Sequence, residues 1–322
     1  MPLLRELPDT RFVARLAAAL APTDILVIGF ALLLSLVSWA VLPAAGTATI
    51  LVPANLLACV LVVTLALARR GSGSAVLRAL HAWYPVPLVF LAFKEMHLLV
   101  GPLHGGRDYD ELLIAADRLL FGVDPTVWMT RFAHPLITEI LQIAYTSFYF
   151  LFLLLGMELY RRTTAEDFRI FMFTCVYGFF LSYLGYVLLP AVGPRFILHD
   201  FAALDRELPG VLLTPWLRWF VNAGGSVPMN VPNDVAMAAA QRDVFPSGHT
   251  MMTLVLMSVA RVTRARVAPL LYVVGSLLIV ATVYQRYHYV VDLLAGALFA
   301  MICLATVRPL YRFLCRVLSV AA

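Results

Sequence analysis

The sequence predicts an all-α fold, a polytopic membrane helical bundle of about eight transmembrane helices with an interfacial helix and a long outer-face loop. Three observations carry this. Of 322 residues, 62% are hydrophobic and 13% charged, with a mean hydropathy of +0.87, whereas soluble domains carry about 25% charge. Apolar runs near the ~20 residues that cross a ~30 Å hydrocarbon layer as helix recur along the whole length. Arginines gather in five short segments that all fall on one side of these runs.

Residues 1–23 carry Arg5, Arg11 and Arg15 ahead of an apolar run from Asp24 to Leu42. That run is longer than the core of a signal peptide and lacks a clear cleavage pattern. It is expected to be a first membrane helix behind a basic amphipathic lead. Pro43 and the AAGTAT that follows make a turn, 50–68 cross back to the basic loop Arg69–Arg78, and 82–100 form a third span. The stretch 101–130 is too polar at its start to cross, but DELLIAADRLLF places apolar residues at helical spacing, as in a helix lying in the interface. A fourth span runs over 135–159 and a fifth over 170–190. The Pro- and Gly-punctuated loop 191–246 then contains the amphipathic piece TPWLRWFV. Three more spans are expected at about 250–261, 267–285 and 288–307.

No run is left for a soluble second domain, so 1–322 reads as a single membrane domain. Residues 1–130 supply N-terminal helices and the interfacial segment, and 131–322 the core helices. Cys59, Cys175, Cys303 and Cys315 show no paired spacing and read as packing residues.

The arginine segments orient the bundle. They hold residues 5, 11 and 15; 69, 70 and 78; 161, 162 and 169; 261, 264 and 266; and 308, 312 and 316. Short Arg-rich loops stay in the cytoplasm, so both termini are predicted inside. The net charge of +5 therefore reports topology, not nucleic-acid binding. No Gly-rich nucleotide loop appears, and no cofactor is implied.

Two short stretches carry chemistry. RDVFPSGHT at 242–250 begins a predicted span, and YHYVVD at 287–292 begins another. The 39 residues from His249 to His288 are what two tightly joined crossings require, so the histidines are expected to meet at the outer face. Ser247 or Thr250 can cap the helix start, and Gly248 lets a ligand approach the backbone. Unpaired amides at the positive end of a helix dipole suit an anion of phosphate size. An ordinary capped helix reads the same way locally. His288 and Asp292, four apart, share a helix face, where a carboxylate can fix the imidazole tautomer and leave the other nitrogen as nucleophile or base.

With PSGH at 246–249 and H-x-x-x-D at 288–292, the chain resembles the type 2 phosphatidic acid phosphatase superfamily, which includes inositol phosphorylceramide and sphingomyelin synthases. The resemblance implies a metal-independent phosphohistidine mechanism. On it His288 attacks phosphorus, Asp292 orients His288, His249 protonates the leaving group, and Ser247 and Gly248 hold phosphate oxygens.

The phosphatase branch carries Lys, six residues, then Arg-Pro, and later an Arg where this chain has Thr282; neither pattern is intact here. A phosphoryl group calls for guanidinium clamps, and Arg195, Arg286 and Arg242 are the candidates. Arg286 stands about 200° around a helix from His288, so it can help only if Gln285–Tyr287 is loop. Lys94, Glu95 and His97 fall outside the resemblance; Lys94 and Glu95 read as an internal ion pair or a spare cation for the site. His81, His104, His134 and His199 follow no motif.

The loss of the arginine pattern beside an intact HYVVD points to the inositol phosphorylceramide synthase-like branch. A phosphoryl-containing group would then pass from a lipid phosphate or phospholipid to an alcohol. A lipid phosphate phosphatase acting on phosphatidic acid or polyprenyl diphosphate, with water as acceptor, is the alternative. A transporter would call for midplane carboxylates and inverted repeats, and no repeat is evident.

Overall fold

The computed structural model describes residues 10–42 and 46–321. Arg5, the Arg11 side chain and the turn expected at Pro43 lie outside the described residues. The described secondary structure is helical throughout, with no strand.

In chain order the helices are α1 (Thr10–Ala19), α2 (Pro22–Val41), α3 (Ala48–Gly71), α4 (Ala75–Trp83), α5 (Pro85–Leu103) and α6 (Asp110–Phe121). There follow α7 (Pro125–Met129), α8 (Pro135–Thr146), α9 (Phe148–Arg162) and α10 (Ala165–Tyr186). The predicted long loop is built from four short helices, α11 (Pro194–Ile197), α12 (Leu204–Glu207), α13 (Thr214–Gly224) and α14 (Asn233–Ala239). The chain closes with α15 (Gly248–Val262), α16 (Ala268–Tyr284) and α17 (Val290–Ala321).

Five helical stretches among the described residues are long and apolar enough to cross a membrane, and a sixth arises if α8 and α9 count as one span. The expected eight are not reached because α15 and α16, with 15 and 17 residues, fall short of the ~20 that a straight crossing takes. The α8–α9 pair bends by 51° at Ser147, whose hydroxyl donates to the Ala144 carbonyl and so competes in the helix ladder.

The chain forms two compact units. One takes residues up to Leu99, Ala165–Phe180 and Leu304 onward. In it, Asp24 accepts from the Ala21 amide at 2.7 Å and the Tyr84 hydroxyl at 2.6 Å, and its Oδ2 lies 3.0 Å from His81 Nε2. Glu95 accepts from Ser38 and Asn55 at 3.0 and 2.9 Å. The Glu95 carboxyl is thus met by side chains of α2 and α3.

The other unit takes Val100–Thr164 and Leu181–Cys303 and holds both sequence motifs. The helix expected over 110–121 is α6, stopped by Gly122 at φ +70° in the left-handed region that glycine reaches freely. The amphipathic piece is α13. It exposes Trp216, Trp219 and Phe220 while burying Thr214, Arg218 and Asn222. Glu139 holds its start, accepting from the amides of Val211, Leu212, Leu213 and Thr214 and from the Thr214 hydroxyl at 2.5–3.2 Å. Hydrogen bonds to a charged group contribute roughly 1.5–3 kcal/mol each, enough to seat a short helix that propensity alone would not form.

Candidate active site

The PSGH turn begins α15. Ser247 is its N-cap, with φ −62° and ψ 102°, and its hydroxyl accepts from Thr250 N at 3.2 Å. That use of the hydroxyl as a cap leaves the Gly248 and His249 amides at the head of the helix, where the backbone has no carbonyl of its own to offer them. Ser247 N also donates to the backbone carbonyl of Asp292 at 3.0 Å, joining the two motifs through the main chain. The approach is tight. A Cβ at Gly296 would stand 2.6 Å from the Ser247 carbonyl, and one at Gly185 would stand 2.5 Å from Pro246.

His288 stands in the turn between α16 and α17 and is 4% exposed. The backbone amides of Tyr287 and His288 both donate to the Thr282 carbonyl, at 2.9 and 3.0 Å. The ring Nδ1 lies 3.0 Å from the Val244 carbonyl and 3.5 Å from Asp292 Oδ2. The nearer acceptor is therefore the carbonyl, and the carboxylate lies beyond an ordinary N–H···O distance. A carbonyl can only accept, so Nδ1 carries the hydrogen and Nε2 keeps its lone pair. Asp292 Oδ2 accepts from Tyr289 N at 2.8 Å, which orients the carboxylate under the turn. Burial lowers the His288 pKa to about 4, against the opposing pull of Asp243 and the Val244 carbonyl.

His249 packs against His288 with ring centroids 5.7 Å apart. Its other faces meet Tyr145 at 4.7 Å and Phe148 at 4.5 Å. Tyr145 stacks on Tyr287 at 4.3 Å, and the Arg195 guanidinium lies over Tyr287 at 4.9 Å. A row of planar groups thus runs from Arg195 to His249.

The three candidate arginines part company. Arg195 donates to Asn222 Oδ1 at 2.9 Å and has no carboxylate partner among the described residues. Its backbone amide donates to the Arg286 carbonyl at 3.0 Å, so the loop before α11 is tied to the His288 turn. Arg286 does lie in loop, at φ +66°, but its guanidinium meets Glu207 at 2.5 Å. Arg242 pairs with Asp108 at 3.0 Å and donates to the Ala240 carbonyl. Thr282 turns its hydroxyl onto the Ile279 carbonyl of its own helix.

The residue pattern alone missed several neighbours of the histidines. Val244 acts through a backbone oxygen, which leaves no trace in residue type. Asp243 lies inside the quoted stretch and pulls on the His288 ring from there. Tyr145 and Asn222 belong to neither motif, and Tyr287 opens the second one without a role of its own. The histidines outside the motifs have partners of their own: His104 Nε2 lies 2.7 Å from the Val187 carbonyl, His134 Nδ1 accepts from Leu136 N, and His199 Nε2 lies 3.0 Å from the Thr126 hydroxyl.

A family model described as the PAP2 superfamily matches residues 111–306, about three fifths of the chain. No curated protein and no solved structure matches.

Proposed function

The chain belongs to the PAP2 superfamily, and from that membership, which supports phosphoester cleavage, we propose a membrane phosphotransferase. It would move a phosphoryl-containing group from a phospholipid to an alcohol, as in the inositol phosphorylceramide synthase-like branch. The observation that carries the reading is the meeting of His249 and His288 at 5.7 Å, with Nδ1 of His288 held by the Val244 carbonyl.

In the first step the Nε2 lone pair of His288 attacks phosphorus, an N–P bond forms, and the P–O bond to the lipid alcohol breaks. His249, which burial holds neutral in the free protein, takes up a proton along with the anionic donor and gives it to the departing alkoxide. Asp292 and the Val244 carbonyl stabilise the positive charge that builds on the His288 ring. Arg195 and the amides of Gly248 and His249, with Ser247 as cap, would take the phosphoryl oxygens. In the second step the acceptor hydroxyl gives its proton to His249, attacks phosphorus and releases His288. No role is assigned to Arg286 or Arg242, which already have carboxylate partners.

The charge count favours a transferase. A site with one guanidinium free of carboxylates matches the single negative charge of a phosphodiester donor better than the two of a phosphomonoester. A lipid phosphate phosphatase is the alternative, with water in the second step. The arginine segments support cytoplasmic termini and a site at the outer face. Purified protein given labelled phospholipids, with and without alcohol acceptors, separates the two reactions. A new phosphodiester supports transfer, and free phosphate alone supports hydrolysis.

A further inference from the structure

Asp110 and Asp117 are seven residues apart on α6, two turns and hence one face, and are 4% and 1% exposed. Burying a carboxylate is costly unless donors surround it, and these donors come from the two loops that carry the candidate site. Asp110 accepts from Val192 N at 3.0 Å, Gly193 N at 2.8 Å and the Tyr289 hydroxyl at 2.8 Å. Val192 and Gly193 immediately precede α11, which bears Arg195, and Tyr289 follows His288. Asp117 accepts from Val290 N at 2.9 Å and Val291 N at 2.8 Å, the amides that head α17 and have no carbonyl within the helix. The Arg195 loop cannot relax independently. A Cβ at Gly193, φ +99°, would stand 2.9 Å from the Tyr287 carbonyl.

We infer that Asp110 and Asp117 are positioning residues of the reaction: α6 acts as a template that holds the phosphate-side cation Arg195 and the nucleophile His288 at a set separation. This rests on the proposed reading of His288. Asp117 fixes the helix start directly behind His288, so its effect falls on the chemical step. Asp110 ties the Arg195 loop to Tyr289, so its effect falls on both substrate affinity and the chemical step. Neither carboxylate touches substrate.

The test uses the full chain with Asp117→Asn, Asp110→Asn, Glu111→Gln and His288→Ala. Asparagine keeps the shape and one acceptor but sets an NH2 group against an amide donor. Glu111, exposed on the same helix, controls for lost negative charge. Rates are expressed per folded molecule, with folding scored by thermal midpoint in detergent. Asp117→Asn is expected to lower kcat and the rate of phosphoenzyme formation about 10²-fold, the scale of a ~1 Å misplacement, with KM within about threefold. Asp110→Asn is expected to lower kcat and raise KM together, while Glu111→Gln changes neither. Wild-type kcat per folded molecule in both asparagine variants, beside a dead His288→Ala, overturns the template alone. Turnover surviving in His288→Ala overturns the reading beneath it, and the template with it.

Discussion

The backbone amide of Ser247 donates to the backbone carbonyl of Asp292 at 3.0 Å, so the two motifs are locked together by main-chain atoms before any side chain meets. The relative placement of His249 and His288 is therefore a property of the fold, and side-chain substitutions at either can be read as chemistry.

His288→Ala is expected to abolish turnover with little change in thermal midpoint. Rapid quenching of the wild-type reaction with labelled donor should place phosphate on His288. A labelled phosphoenzyme of equal yield in the alanine variant would falsify the assignment.

His249→Ala should lose about 10²–10⁴-fold with a lipid substrate, the usual range for general acid–base catalysis. A phosphoester with a good leaving group, such as a nitrophenyl ester that the wild type turns over, should restore part of that loss. It should restore nothing in His288→Ala. Equal rescue of both variants would mean that the roles are exchanged or absent.

The Arg195 guanidinium lies over Tyr287 and donates to one neutral amide oxygen, that of Asn222. Asn222→Ala removes that acceptor and is expected to raise KM about tenfold, the equivalent of one hydrogen bond to a charged group. Arg195→Lys should be poorer still, since a point charge cannot reproduce the planar fork. Unchanged KM in both would remove Arg195 from substrate binding.

The lowered pKa of His288, about 4 against an ordinary ~6.5, gives two expectations. Neutral imidazole persists below pH 6, so protonation of the nucleophile should not limit kcat/KM until the pH nears 4. For stability the sign runs the other way from a salt-bridged histidine. The unfolded chain takes up the proton first, so the folded state loses stability as pH falls from about 6.5 to about 4. Thermal midpoints across that window should fall less steeply in His288→Asn than in the wild type.

Much of this arrangement is legible in the residues. The 39-residue interval between the histidines brings them together through α15 and α16 even though neither reaches 18 residues, because a returning helix pair needs equal arms rather than full crossings. The bounds of α6 follow from its apolar spacing and Gly122. What stays hidden is long-range or carried by the backbone. Glu207 claims Arg286 from 79 positions away, and no local pattern announces it. The Val244 carbonyl displaces Asp292 as the nearest partner of His288, and any residue at 244 would offer the same oxygen.

The near-contact of Gly296 with the Ser247 carbonyl turns packing into a rule for searching sequences. Gly296 lies one turn beyond Asp292, where the helix face that receives the Ser247 amide continues. Any chain that joins its two motifs by this same amide-to-carbonyl bond must keep that spot bare, and the shorter pattern H-x-x-x-D thereby lengthens to H-x-x-x-D-x-x-x-G. The added position is silent about chemistry, since it touches no phosphate. Its value is diagnostic: a PSGH paired by chance with H-x-x-x-D carries no reason for a glycine there, whereas a pair that docks does.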